Sequence, residues 1–239
     1  MTGSLVIAPR FCGPPDSGNG GYVSGLIAGY LGGQAEITLR RPTPLAVPLA
    51  VERDGAGSVR VLGGGALVAE GVAGGPALEL PEPVSTGEAR AAGDGSRLRM
   101  HPEEHPFPTC FVCGPEREIR DGLRITVGKV AGRDLFAGIW DPDETLADSG
   151  GEVRPEFLWA ALDCPGGIGA FGEAALDGPP FLLGRYSVRQ FGPVQAGEPH
   201  IVLGWRLAED GRKMLAGSAL FTAAGQAVGL ARATWIRLG

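Results

Sequence analysis

Between Val153 and Pro165 the chain reads Val-Arg-Pro-Glu-Phe-Leu-Trp-Ala-Ala-Leu-Asp-Cys-Pro, a segment with almost no polar face. Pro155 suits a first helical position, where its missing N–H is no loss. Phe157, Leu158, Ala161 and Leu162 recur at helical spacing, and Trp159 and Ala160 widen the apolar surface until it nearly encircles the helix. A helix of this kind cannot lie on a surface, so the rest of the chain must wrap it. Glu156 and Asp163 stand seven residues apart, two turns, and project to the same side. Pro165-Gly166-Gly167 is expected to stop or loosen the helix. A carboxylate near the end of such a helix is costly to bury unless it is paired, hydrated or used. Asp163 is therefore the first candidate functional residue.

A length of 239 residues allows one large domain or two small ones. The formal charge of −6 argues against nucleic acid as partner, because phosphate binding wants a basic face. It leaves room for an anionic ligand held by a local arginine cluster. No basic-then-apolar leader precedes the first strand, and no apolar run reaches the length of a membrane span. The four cysteines, Cys12, Cys110, Cys113 and Cys164, are then expected to be reduced thiols of a cytoplasmic protein.

Taken in order, residues 5–9 form a short strand candidate. A loop rich in Gly, Pro and Asp follows, and then an apolar helix from about Gly20 to Leu31, with Ser17 or Asn19 as its cap. Glycine weakens an isolated helix by about 1 kcal/mol per residue, so this helix needs tertiary packing. Strands are expected over 35–41, 48–55 and 58–70, the last with a glycine interruption that suggests a bulge or a close approach. Residues 74–106 lose all periodicity and read as a linker or meandering crossover. Further strands are expected over 123–130 and 134–140. After the opening helix come strands over 182–191, 200–207, 213–223 and 227–238.

The two halves have one plan, an apolar helix followed by antiparallel strands. Thr38-Leu-Arg-Arg-Pro-Thr-Pro44 in one corresponds to Ser187-Val-Arg-Gln-Phe-Gly-Pro193 in the other, and the turn at Asp54-Gly55 to that at Asp210-Gly211. The shared order is a stronger sign of duplication than any one match. On that order, and on Trp159-Ala-Ala-Leu-Asp-Cys-Pro165, the chain resembles the double-hotdog acyl-CoA thioesterases and related thioesterase-like proteins. The resemblance implies an α+β fold of two tandem units, each a long apolar helix wrapped by a curved antiparallel sheet. The units would be residues 1–100, with a trailing linker, and residues 101–239.

The resemblance also implies a chemistry. Many hotdog thioesterases have a Gly-Gly start to the helix and an acid eight residues later. Here Ala28 stands eight residues after Gly20, and Pro155 stands eight before Asp163. The two elements are split between the halves. One composite site is therefore expected, with Gly20 and Gly21 as oxyanion donors, Asn19 orienting substrate or water, and Asp163 as nucleophile or general base. The substrate would be an acyl-CoA or acyl-carrier thioester. Glu156, Arg40 and Arg189 are candidate substrate-binding residues, the arginines for CoA phosphates. No catalytic cofactor is implied, and further association into homo-oligomers is common for such units. Each residue also has an ordinary structural use: Gly-Gly before a helix is common turn chemistry, and Asp163 can cap a nearby backbone N–H. A non-catalytic acyl-CoA or lipid-binding module is the alternative in another class.

His101-x3-His105 and Cys110-x2-Cys113 place four candidate zinc ligands within thirteen residues of a Pro-rich loop. A structural zinc is one expectation there and a reduced cysteine pair packing the second unit is the other. Cys164 is read as a buried structural thiol, since no histidine lies near it in sequence. A zinc-stabilised interaction protein is thus a third functional class.

Overall fold

Both apolar helices form where the pattern puts them, and both are enclosed. The computed structural model describes residues 2–172 and 177–238. The elements in chain order are β1 (Thr2–Val6), α1 (Gly20–Gly29), β2 (Ala35–Leu39), β3 (Pro48–Arg53), β4 (Ser58–Gly63), β5 (Ala66–Ala73), α2 (Thr86–Asp94), α3 (Arg97–Met100), β6 (Gly128–Lys129), β7 (Phe136–Trp140), α4 (Pro155–Phe171), β8 (Phe181–Gln190), β9 (His200–Asp210), β10 (Lys213–Thr222) and β11 (Ala227–Arg237).

All the strands join one antiparallel sheet in the order β1-β3-β4-β5-β2-β8-β11-β10-β9-β7-β6. The halves meet where β2 pairs with β8, with Ala35 opposite Val188 and Ile37 opposite Tyr186. Outward from that seam the order is β2-β5-β4-β3-β1 on one side and β8-β11-β10-β9-β7 on the other. Each half thus runs strand, helix, four strands, with equivalent strands at equivalent places. Two helices wrapped by such a duplicated sheet make a double hotdog fold. Among the described residues no helix is long and apolar enough to cross a membrane.

Four expectations are corrected. The single strand over 58–70 is two strands, because Gly64 and Gly65 take positive φ and close a hairpin where a bulge was expected. Residues 74–106 contain α2, started by a reciprocal capping box between Ser85 and Glu88. Its buried Ala89 and Ala92 share a core cluster with Leu135, Ala137 and Ile201. Of 123–130 only β6 is strand; Leu123 and Ile125 instead donate their N–H groups to Phe111 O and Val112 O.

The fourth correction concerns α4, which continues through Pro165 to Phe171. Proline removes the hydrogen bond to the carbonyl four residues back and would normally break the helix. Surrounding side chains hold it. Ser218 Oγ donates to Leu162 O at 2.6 Å, Tyr186 Oη to Trp159 O at 3.0 Å and Arg206 Nε to Ala170 O at 2.7 Å. β9 lies directly on the helix backbone: a Cβ at Gly204 would fall 2.0 Å from Pro165 O. Tertiary contact replaces the lost propensity.

The two helices also touch backbone to backbone. A Cβ at Gly21 would lie 2.5 Å from Asp163 Cβ and 2.7 Å from Trp159 O; one at Gly25 would lie 2.7 Å from Glu156 Cα. Glycines four apart present one face of α1, and that face is pressed on α4. Gly25→Ala is expected to lower the unfolding free energy by about 1–3 kcal/mol through overpacking. Gly29→Ala, whose Cβ would meet nothing within 4 Å, is expected to keep or raise stability. Urea denaturation of the two variants beside the parent checks the contrast.

Candidate active site

Asn19 is the N-cap of α1. Its Oδ1 accepts from Tyr22 N at 2.9 Å, which meets one of the orphan amides of the first turn. Its own N–H donates to Phe11 O at 2.8 Å. With Oδ1 turned to a donor, Nδ2 must point the other way, and it donates to Asp163 Oδ2 at 2.9 Å. Gly21 N donates to the same oxygen, also at 2.9 Å. The acid from the late helix is thus seated on the N-terminus of the early one, where backbone donors and the helix dipole favour negative charge.

Asp163 is only 2% exposed, and its Oδ1 has no hydrogen-bond partner among the described residues. Burial pushes its pKa up to about 7, and the nearby Cys110 adds to the rise; the Gly21 and Asn19 donors oppose it. A carboxyl in this state changes protonation near neutrality, the property a general base needs. Gly21 N–H is committed to the acid. Gly20 N–H, by contrast, is bonded to no acceptor among the described residues. It lines, with Asn19 and Asp163, a cavity of about 230 Å³.

That cavity reaches the exposed Arg40 and Arg41 on one side. It shares Phe107, Cys110, Cys164, Phe181 and Trp235 with a second cavity of about 100 Å³. The second is mainly apolar, with Phe136 and Phe171 on its walls, and Phe171 stacks on Phe181 at 3.5 Å. A polar mouth, a buried acid and an apolar recess therefore follow one another.

The structure brings together Asn19, Gly20, Gly21 and Asp163. Of the three substrate-binding candidates, only Arg40 reaches this cavity, and its guanidinium is paired with Glu70. Glu156 lies at the far end of the helix crossing, 3.4 Å from Arg154, where the first turn of α4 packs on Gly25. Arg189 lies on β8, outside both cavities. At the corresponding positions of the other half stand Ala28 in α1 and Pro155 at the start of α4.

The two histidines of the expected zinc site stand apart from each other. His101 is exposed and faces Glu103 at 3.3 Å, outside the cluster that the thiols form. His105 is buried, shares the apolar cavity with the cysteines, and accepts from Phe107 N through Nδ1. The third thiol beside Cys110 and Cys113 is Cys164, and the three sulfurs all lie within 4.8 Å of one another. Cys110 is held well below the usual thiol range because the other two thiols donate to it, and those two are held well above that range by the same contact. Sequence spacing missed Cys164 because 51 positions separate it from Cys113; its place beside Asp163 in the sequence was the only signal.

No protein-family model matches the chain, and no curated protein matches it. Similar solved structures do exist. The tesB protein of Mycobacterium avium subs. paratuberculosis is 13% identical with a TM-score of 0.64, over 100% of this chain and 93% of that one. An acyl-CoA thioesterase II of Mycobacterium marinum is 11% identical with a TM-score of 0.60, over 99% and 93%. A hot dog fold protein of Alicyclobacillus acidocaldarius is 9% identical with a TM-score of 0.59, over 100% and 93%. At such identities the likeness is one of fold.

Asn19→Ala removes both the cap and a donor to the acid, and is expected to cost about 0.5–2 kcal/mol of stability. Asn19→Ser keeps a capping oxygen and is expected to cost less. Thermal and urea melts of the pair measure the difference.

Proposed function

We propose that this chain hydrolyses acyl-CoA or carrier-bound acyl thioesters at one composite site shared by its two halves. The observation that carries the reading is the buried Asp163 carboxylate, seated 2.9 Å from both Gly21 N and Asn19 Nδ2 beside an unengaged Gly20 amide. The full-length fold likeness to the tesB protein and to the acyl-CoA thioesterase II supports the same reaction class.

In this mechanism the acyl chain enters the apolar recess and the thiol carrier leaves past Arg40 and Arg41. The thioester carbonyl oxygen points at the N-terminus of α1, where Gly20 N–H and the helix dipole stabilise the developing oxyanion. Ionised Asp163 takes a proton from water as the water oxygen bonds to the carbonyl carbon. Collapse of the tetrahedral intermediate breaks the C–S bond. The departing thiolate takes the proton from Asp163, leaving a carboxylic acid and a free thiol. Asn19 positions the acid rather than reacting. Glu156 and Arg189 have no part in this scheme, since neither lines the cavities.

Asp163→Asn keeps an oxygen for the Gly21 and Asn19 donors but cannot take a proton. It is expected to lower kcat/KM by roughly 10²–10⁴-fold while the melting curve stays close to the parent's. A thiol-release assay over a panel of acyl-CoA esters reads the rate, and undiminished turnover by the folded variant excludes Asp163 as the base. Saturable acyl-CoA binding by the parent without any turnover would assign the chain to the binding modules instead.

Gly20→Pro tests the oxyanion donor. Proline is tolerated at a first helical position and deletes the N–H. Because any Cβ there would lie 2.8 Å from Leu183 Cδ2, Gly20→Ala serves as the steric control. The expected outcome is a loss of about 10²–10³-fold in kcat for the proline variant beyond that of the alanine variant.

A further inference from the structure

We propose that Cys110, Cys113 and Cys164 form a binding site for one thiophilic divalent ion, with zinc as the ion the donor set fits. The three sulfurs come from two separate parts of the fold and converge within 4.8 Å of one another. Cys110 and Cys164 Sγ are 3.7 Å apart. A tetrahedral zinc with bonds of about 2.3 Å needs its sulfurs about 3.8 Å apart. That spacing is available here with little movement. It is far from the roughly 2 Å of a disulfide.

The local backbone is shaped for this. Between Cys110 and Cys113 the chain makes a tight turn, closed by Gly114 N donating to Cys110 O at 2.9 Å. Only glycine fits position 114: a Cβ there would lie 2.5 Å from Cys110 O and 2.5 Å from Pro108 O. The turn is anchored on both sides, by Phe111 N to Cys12 O and by Ile125 N to Val112 O, each 2.8 Å. The third ligand sits on α4, whose backbone is enclosed by strands. Asn19 Nδ2 adds a donor 3.9 Å from Cys110 Sγ and 4.0 Å from Cys164 Sγ, an outer contact of the kind that orients metal ligands.

Three protein ligands leave one coordination position for a further ligand. The site is independent of the thioesterase reading, because ion binding is measured without turnover.

The test uses the full chain, reduced with a non-thiol phosphine and freed of metal. Zinc is titrated against a chromogenic chelator, and Co²⁺ is used as a spectroscopic probe. The expected result is one ion per chain, with Co²⁺ spectra showing tetrahedral d–d bands and sulfur-to-metal charge transfer of three thiolates. Cys164→Ser is expected to weaken zinc binding by at least 10-fold, while Cys12→Ser and His101→Ala leave it unchanged. Circular dichroism confirms that each variant is folded. The cobalt spectrum of the parent carries the test on its own if a cysteine variant fails to fold. A reduced parent that binds neither ion, octahedral cobalt without charge transfer, or zinc affinity that survives folded Cys164→Ser would overturn the proposal.

Discussion

The contact on which the rest depends is the backbone-to-backbone crossing of α1 and α4. Gly21 and Gly25 have no side chains where the second helix passes, and at that distance no other residue fits. The approach has two consequences. It buries the apolar faces of both helices inside one sheet, the only place they are stable. It also brings an acid from one helix onto the N-terminal amides of the other. A looser crossing, through alanine or valine, would leave Asp163 buried without donors, a costly state for a carboxylate. The packing and the candidate chemistry thus come from the same two glycines.

The frame is repeated, and its two copies are chemically unlike. The two halves keep the same order of strand, helix and strands, and they join at equivalent strands β2 and β8. Their helix starts differ. α1 begins with a capping Asn and two glycines, of whose amides Gly21 N donates to Asp163 and Gly20 N to no acceptor among the described residues; α4 begins with Pro155, which has no N–H to offer. The acid is placed the opposite way: Asp163 stands late in α4, and Ala28 occupies the matching position of α1. The helix that supplies the acid is also the one with the worst intrinsic propensity beyond it, and Ser218, Tyr186 and Arg206 hold its carbonyls from the strands.

Much of this was legible from residues alone, where a strong local signal existed. Asn19 before an apolar run reads as a cap, and Asp210-Gly211 as a turn. The long strands of the second half have boundaries close to those expected. Legibility failed where glycine and proline were judged by local habit. Gly63-Gly64-Gly65 makes a hairpin and Pro165-Gly166-Gly167 does not end a helix, because positive φ decides the first and strand packing the second. α2 was missed because its apolar face is alanine, a weak hydrophobic signal beside its sound capping box. The histidines near Cys110 were weighed by nearness in sequence, yet His101 faces solvent while Cys164 arrives from another element.

By itself the sequence determined that two apolar helices must be wrapped by antiparallel strands, that the chain is duplicated, and that a buried acid and free amides are divided between the copies. These follow from periodicity, capping chemistry and the cost of an unpaired carboxylate, all of which act over a few residues. Only the tertiary structure decided that Asp163 meets Gly21 and Asn19 at hydrogen-bonding distance, and that three thiols, two from a turn and one from α4, converge beside them. Such meetings depend on how closely backbones approach, and that distance is set by every side chain between them, not by any pattern along the chain.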